Sequence, residues 1–262
     1  MSQILIKCED LNKTFNTKQG TVTALKNLNL SITKGQCYGL VGESGCGKST
    51  LSSIIAGLQK PDSGNVFFSG LKAPQDFTDI NSLKSKDLKS FRRHCQIIFQ
   101  DPYSSLNPKM KIRSIIEEPL KIHGIGKNKE ERAGLVNEIR TLVGLPPDSL
   151  EKYPSQLSGG QRQRVAIASS MILEPEFLIC DESVSALDVL IQAQILNLLK
   201  SMQKSLNLTY LFISHNFNVV AYMADVIGVM YNGQIVEEKP AEELLKNPEH
   251  PYTKKLLEAA GL

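Results

Sequence analysis

Short stretches in which apolar and polar residues alternate open the chain. Residues 3–10 and 28–33 alternate as half-buried strands do, and residues 64–68 repeat the pattern. The polar segment 34–36 is typical of a turn. Almost wholly apolar runs, which predict buried strands, lie at 37–41, 177–180 and 210–213.

Helical spacing of apolar residues appears between these strands. A helix is expected to open over 50–58, and weaker helical patterns follow at 112–122 and 129–143, separated from later segments by proline-containing breaks. Residues 187–202 have apolar positions at helical spacing and predict a core-facing helix. The lysine- and serine-rich stretch 71–93 is expected to be a surface excursion. Strands that alternate with helices favour an α/β fold with a mainly parallel sheet and a ligand at the strand ends.

Length and composition fit one such domain with a subdomain. The chain has 262 residues and a net charge of +3, and it lacks the basic blocks with interleaved aromatics that nucleic-acid binding would need. No apolar run approaches the eighteen residues of a membrane span, and the N-terminus does not have the layout of a signal peptide. Five scattered cysteines support neither a metal site nor a disulfide framework. We therefore expect a reduced protein on the cytosolic side.

A glycine-rich loop between a predicted strand and a predicted helix has the pattern of a phosphate-binding loop. Its glycines allow the backbone to approach an anion, and its N–H groups with the following helix N-terminus form a concave donor surface. Lys48 would reach the β and γ phosphates of a nucleotide, and the Ser49 hydroxyl would bind Mg²⁺. Chance is the alternative, and the flanking strand and helix argue against it. The loop residues are Gly42, Glu43, Ser44, Gly45, Cys46, Gly47, Lys48, Ser49 and Thr50.

Candidate catalytic groups follow the later apolar runs. Asp181 and Glu182 end one of them, where the first acid would hold Mg²⁺ and the second would polarise an attacking water. His215 follows another. A lone acid at a strand end is commonly only solvated, and a lone histidine is more often structural. Cys46, inside the loop, is either a small filler or a handle for oxidation and alkylation.

A second motif turns these candidates into a recognisable set. The run Leu-Ser-Gly-Gly-Gln at 157–161, more than a hundred residues after the loop, resembles the signature of ABC ATPases, and its expected nucleotide contacts are Ser158, Gly159, Gly160 and Gln161. The resemblance implies a Gln100 that reaches Mg²⁺ and the catalytic water, and a His215 that senses the γ-phosphate. It also implies that Phe15 stacks on adenine, where tyrosine is more usual. The alternative for Phe15 is a half-buried turn aromatic.

The resemblance narrows to the ATPase subunits of dipeptide, oligopeptide and nickel importers, of the second-ATPase type. The most specific segment, Asp-Pro-Tyr-Ser-Ser-Leu-Asn-Pro, follows Gln100, and the tail run His-Pro-Tyr-Thr at 250–253 agrees. Ser183 replaces the usual proline, and Asn216 replaces the common aspartate. Cysteines for an iron–sulfur cluster in a C-terminal extension are absent from this sequence, so no cluster is expected.

This resemblance implies a P-loop ABC ATPase fold with a RecA-like core, an antiparallel β subdomain and a helical subdomain. The chain would be one ATP-binding domain over residues 1–262, with the helical subdomain at about 104–168, the signature at the start of its last helix, and a short tail at 240–262. Its cofactors would be ATP and Mg²⁺, the metal being held by Ser49, Gln100 and Asp181. Glu182, His215 and Gln100 would be catalytic.

The implied function is that of the energy-coupling ATPase of a multi-subunit peptide importer. Its partners would be two transmembrane permease subunits, a second ABC ATPase subunit in a heterodimer, and indirectly an extracytoplasmic substrate-binding protein, with no nucleic acid. The chain would lie peripherally on the cytoplasmic face of the cell membrane. A nickel or metal-chelate importer is the alternative substrate class. A soluble non-transport ABC ATPase, a degenerate cassette and an exporter cassette fit less well.

Overall fold

In a computed structural model, the chain is described over residues 3–17, 20–71, 76–101 and 105–262. Two sheets organise it. One is antiparallel with strand order β2-β1-β4-β5, and the other is the central sheet with order β10-β9-β3-β8-β7-β6. The antiparallel strands are β1 (Ile4–Thr17), β2 (Gly20–Thr33), β4 (Ser63–Ser69) and β5 (Phe77–Asp79). The central strands are β3 (Cys37–Val41), β6 (Cys95–Ile98), β7 (Phe177–Asp181), β8 (Thr209–Ile213), β9 (Val226–Tyr231) and β10 (Gln234–Pro240).

The first two strands are longer than the alternation predicts. β1 and β2 pair from Ile4 opposite Thr33 to Thr17 opposite Gly20, with register shifts that interrupt the ladder. Each shift moves the side chains out of strict alternation, which is why the pattern was readable only in pieces. Phe15 lies within β1, opposite Val22, and not in a turn.

Both faces of the central sheet are covered, which explains its continuous apolar strands. In β7, Phe177 and Ile179 belong to the apolar cluster shared with the antiparallel sheet. Leu178 and Cys180 point into the cluster that the later helices cover. β3, β6, β7, β8 and β9 run parallel, and β10 pairs antiparallel to β9 at the edge. The mainly parallel sheet expected from the sequence is confirmed.

The described helices include all four that apolar spacing predicts, at 50–58, 112–122, 129–143 and 187–202, with boundaries shifted by a few residues. They are α1 (Lys48–Ile55), α2 (Ser85–His94), α3 (Ile112–His123), α4 (Lys129–Leu142), α5 (Gly159–Met171), α6 (Val189–Leu206), α7 (Phe217–Met223), α8 (Ala241–Lys246) and α9 (Pro251–Ala260). Short 3₁₀ turns lie at Ile80–Ser82, Pro147–Glu151 and Pro154–Gln156. No helix in the described ranges is both long enough and apolar enough to cross a membrane.

The stretch expected to be a surface excursion at 71–93 is largely structured. Within its described part, β5 extends the antiparallel sheet and α2 lies over it. Phe91 of α2 is fully buried and packs edge-on against Phe68, with ring centroids 5.4 Å apart. One buried aromatic among many charged residues was too weak a signal to predict this helix. Residues 72–75 of the stretch lie outside the described ranges.

Candidate nucleotide site

The glycine-rich loop leaves the end of β3 and leads into α1. Gly47 caps that helix with φ of 112°, and a Cβ there would lie 2.2 Å from the carbonyl oxygen of Ala24 in β2. Gly45, with φ of 82°, would meet nothing within 4 Å. The loop is therefore seated against β2 on one side and open on the other, as a cradle for an anion requires. Ser44 is exposed on the loop, and Thr50 is half-buried in the first turn of α1.

Lys48 lies inside this loop without a direct ion pair among the described residues, although Asp181 is near enough to feel its charge. The side chain is 5% exposed, and Nζ donates to the carbonyl oxygens of Gly42 at 2.7 Å and Glu43 at 2.8 Å. Among the described residues no carboxylate pairs with it within 4.0 Å. A buried ammonium without a direct ion pair is costly, so the site fits a ligand that brings negative charge. The residues present therefore fit a nucleotide phosphate.

Cys46 behaves as a filler of the loop. Its side chain is buried, and its backbone oxygen accepts a hydrogen bond from Gly233 at 3.0 Å. Burial raises the pKa of the thiol, although Lys48 lies 3.8 Å from Sγ and acts in the opposite direction. A buried thiol with a raised pKa is a poor nucleophile, which favours the filler over the reactive handle.

Asp181 ends β7 beside the first turns of α1. Its Oδ2 accepts a hydrogen bond from Ser52 at 2.8 Å. Burial raises the pKa of the carboxyl, while the hydroxyls of Ser52 and Ser49 oppose this rise. Ser52 was not predicted from the sequence, although it follows Lys48 by four residues and so shares its helix face.

The donor set near Asp181 suits magnesium better than a protein-caged metal. No group of three or more His, Cys, Asp or Glu side chains that could hold a metal is found over the described ranges. Mg²⁺ is typically bound by one or two carboxylates together with substrate phosphates. Asp181 and the Ser49 hydroxyl, close to the loop, supply that kind of donor set.

Three predicted catalytic side chains meet at Glu182. Its Oε2 accepts a hydrogen bond from Gln100 Nε2 at 2.7 Å and lies 3.4 Å from His215 Nδ1. The Glu182 backbone adopts a left-handed φ of 47°, and its N–H donates to Ile213 at 3.0 Å. That conformation costs about 1 kcal/mol for a residue with a side chain. The carboxylate is thereby turned towards the ends of β6 and β8, from which Gln100 and His215 come.

Asn216, which follows the histidine, has a local structural role. Its side chain accepts hydrogen bonds from the N–H groups of Asn218 and Val219 and caps α7. Asparagine and aspartate are equally good in this position, so the departure from the common aspartate leaves the segment that carries His215 intact.

The signature forms the N-terminus of α5, at the end of the helical region. Ser158 and Gln161 make a reciprocal capping box, with the Gln161 N–H donating to Ser158 Oγ at 3.3 Å. Gly160 permits close packing, since a Cβ there would lie 2.5 Å from Ile191 of α6, and Gly159 lies near Leu187. No hydrogen bond or ion pair in the described part of the chain joins this segment to the loop or to Glu182. Within the described part of one chain, the signature and the loop are therefore not joined by a direct polar contact.

Phe15 is exposed on the antiparallel sheet. The residue is 36% exposed, and Lys13 Nζ lies 5.6 Å from the centroid of its ring. An open aromatic face of this kind can stack on a base. A second aromatic, Tyr252, was not predicted to approach the site, yet its hydroxyl accepts a hydrogen bond from the Glu43 N–H at 3.0 Å.

Comparison with known proteins agrees with this geometry. Residues 25–185 match the model of a family described as ABC transporter. The chain is 49% identical over 263 residues to the oligopeptide transport ATP-binding protein OppF of Bacillus subtilis (strain 168), covering 100% of this chain and 84% of that protein. It is 46% identical to OppF of Streptococcus mutans, covering 97% and 81%.

A solved structure extends the similarity to the fold. The dimeric bacterial ABC transporter cassette MJ0796 superposes with a TM-score of 0.79 at 31% identity, covering 90% of this chain and 99% of that one. MJ0796 has also been solved as a dimer in a post-hydrolysis state bound to ADP and Pi, which aligns with the same TM-score.

Proposed function

Because the chain belongs to the ABC transporter family and is an ATPase of that family, we propose that it is the energy-coupling subunit of a multi-subunit peptide importer. The observation that carries this proposal is similarity over the whole chain to subunits named for oligopeptide transport. The grouping of Gln100 and His215 around Glu182 supports it. Those names favour peptides over the nickel alternative. The fold is that of an ABC cassette, as expected.

The proposed active form is a pair of cassettes with ATP at their interface. Each nucleotide would lie between the loop of one chain and the signature of the other, where Ser158 and Gly160 would meet the γ-phosphate. Support comes from the dimeric structure of the MJ0796 cassette. Helix N-termini at Lys48 and Gly159 add positive potential towards the phosphates.

Within each site, the chain's own residues divide the chemistry. Lys48 would exchange its carbonyl contacts for the β and γ phosphates, and Mg²⁺ held near Ser49, Asp181 and Gln100 would neutralise developing charge. Glu182 would accept the proton of the attacking water, and His215 would contact the γ-phosphate. Gln100 now donates to Glu182, so its move to the metal would release the carboxylate.

The proposed partners are two permease subunits, a second ATPase subunit that makes the pair a heterodimer, and indirectly a substrate-binding protein. The chain would sit peripherally on the cytoplasmic face of the cell membrane. Residues 101–108 are the proposed contact for the permeases, although 102–104 lie outside the described ranges. The division into one domain over 1–262, with helical residues at about 104–168 and a tail at 240–262, is part of this proposal.

A trapped complex tests the function. Glu182→Gln should bind ATP and Mg²⁺ but lose hydrolysis by at least about a hundredfold, since general base catalysis is typically worth 10²–10⁴. Purified from solubilised membranes with ATP, it should carry two multi-span proteins and a second cassette. The wild-type chain without nucleotide is the control. A cytosolic homodimer without membrane partners would contradict the importer, and near-normal hydrolysis would contradict the role of Glu182.

A further inference from the structure

The tail run at 250–253 is built into the start of α9. His250 caps this helix, its Nδ1 accepting the Tyr252 N–H at 3.1 Å, and Pro251 takes the first helical position, where no N–H is required. The run therefore specifies a helix start, and it fixes the direction in which Tyr252 leaves it.

A buried carboxylate pins this helix start to the central sheet. Glu237 of β10 is 8% exposed and accepts backbone hydrogen bonds from Glu249 at 2.8 Å and His250 at 3.0 Å. Burial alone would raise the pKa of Glu237, but these N–H groups and the nearby Lys239 ammonium help to lower the pKa below its ordinary value. The carboxylate is thus charged at neutral pH, and charge-assisted bonds of this kind hold firmly.

Tyr252 connects this helix start to the phosphate loop. Its ring stacks on Tyr231, the last residue of β9, with centroids 4.3 Å apart and planes at 36°. Its hydroxyl accepts the Glu43 N–H at 3.0 Å. Glu43 is exposed and Gly42 before it is buried, so this bond anchors the loop where it leaves the sheet.

The other end of α9 lies beside the segment that carries His215. Asn218 donates from its side chain to the Ala260 carbonyl at 3.2 Å. A cavity of about 370 Å³ separates the two elements and is lined by both Gly42 and His215 as well as by Leu256 of α9. One helix therefore spans the phosphate loop and the histidine segment.

We propose that Tyr252 is a positioning residue for ATP, which holds the phosphate loop in its binding conformation through the Glu43 N–H. The inference rests on the proposed function, because it concerns the same nucleotide site. A loop held in place before the ligand arrives loses less conformational freedom on binding, so the contact contributes to affinity. Tyr252 does not touch the reacting atoms, and the rate of the chemical step is not expected to depend on it.

The test is a hydroxyl deletion in the full-length chain. Tyr252→Phe keeps the stacked ring and removes the bond to Glu43. Binding of a fluorescent ATP analogue with Mg²⁺ should weaken roughly fivefold, the effect of one neutral hydrogen bond. The KM for ATP should rise by the same factor, while kcat should stay within about twofold. The melting temperature without nucleotide should not change.

Two matched variants separate positioning from folding. Tyr231→Phe removes the hydroxyl of the stacking partner, and this hydroxyl makes no hydrogen bond within the described ranges. Thr253→Val removes one from the same helix beside Glu237. Both should keep wild-type affinity for ATP. Tyr252→Phe could lower the melting temperature as well as the affinity for ATP. If Thr253→Val is destabilised equally but binds ATP normally, the loss of affinity is still due to the missing Tyr252 hydroxyl.

Lys48→Ala distinguishes failure of this inference from failure of the proposed function. If Lys48→Ala loses the analogue while Tyr252→Phe binds as the wild type does, the nucleotide site stands and the positioning role is overturned. The positioning role would also be overturned if Thr253→Val, at equal destabilisation, lost as much affinity for ATP as Tyr252→Phe does. If Lys48→Ala keeps its affinity, the assigned nucleotide site is wrong, and the role of Tyr252 falls with it.

Discussion

Glu176 offers a quantitative test of what stabilises the sheet at the end away from the nucleotide site. It lies just before β7, and its carboxylate pairs with Lys34 Nζ at 2.6 Å and with His94 Nδ1 at 3.1 Å. These partners precede β3 and β6, so one carboxylate ties together segments 82 and 142 residues away in sequence. Replacing it with glutamine removes the charge and keeps the shape.

The size of the effect follows from the pKa of the carboxyl. The His94 hydrogen bond and the Lys34 ammonium, acting against burial, lower the pKa of Glu176 from 4.5 to about 2. That difference is equivalent to roughly 3 kcal/mol of stability at neutral pH. The side chain is 33% exposed, and solvent screening reduces such a figure. We therefore expect Glu176→Gln to lower the free energy of unfolding by about 1–2 kcal/mol after that discount.

The pH dependence has a definite sign. A carboxyl whose pKa is lower in the folded chain stabilises it when ionised, so the contribution is fully present above about pH 5 and is lost towards pH 2. Urea unfolding followed by far-UV circular dichroism suits the chain, which has no tryptophan. The gap between wild type and Glu176→Gln should be larger at about pH 5 than at about pH 3.

The matched control is two residues away. Glu174 is exposed and makes no ion pair in the described part of the chain, so Glu174→Gln should change stability by less than about 0.5 kcal/mol. Equal effects of the two variants, or a gap for Glu176→Gln that widens as the pH falls from about 5 to about 3, would refute the reasoning.

Three further predictions concern the nucleotide site. Gly47→Ala would place a Cβ 2.2 Å from a backbone oxygen, so it should abolish the thermal shift on adding ATP. Gly45→Ala, which has open space around the new Cβ, should keep a reduced shift. Equal shifts in the two variants would contradict the packing argument. Ser52→Ala removes the hydrogen bond to Asp181 and should raise the Mg²⁺ concentration for half-maximal hydrolysis roughly fivefold. An unchanged Mg²⁺ concentration would show that Ser52 does not influence metal binding. Phe15→Ala should weaken ATP binding about 5- to 30-fold if the ring stacks on adenine, and Phe15→Tyr should restore it; wild-type affinity in Phe15→Ala would leave Phe15 as a surface aromatic.

Features that depend on neighbouring residues in the chain could be predicted from the sequence. The buried strands at 37–41 and 177–180 were readable because a strand covered on both faces is apolar at every position. The half-buried strands were less readable, since register shifts break the alternation around Cys8 and Leu11. Phe15 lies inside β1, opposite Val22, and not in the turn that was the alternative to its stacking role.

Contacts between distant residues could not be predicted in this way. The resemblance gave Gln100, Glu182 and His215 their separate roles, but the hydrogen bond that joins Gln100 to Glu182 spans 82 residues. Tyr252 was visible only as part of a family-typical tail, because its bond to Glu43 spans 209 residues. Such pairs depend on strand order, which no local pattern encodes.

That strand order has a consequence for how the chain is made. β3, which delivers the phosphate loop, lies between β8 and β9, and these strands occupy Thr209–Ile213 and Val226–Tyr231. A ribosome must therefore synthesise most of the protein before either neighbour of β3 exists. Closing so long a loop has an entropic cost, which is offset only when the sheet is complete. Ribosome-stalled chains should bind no ATP until residue 231 has left the exit tunnel. The growing polypeptide thus passes through a long stage in which ATP cannot yet bind to it and stabilise its fold.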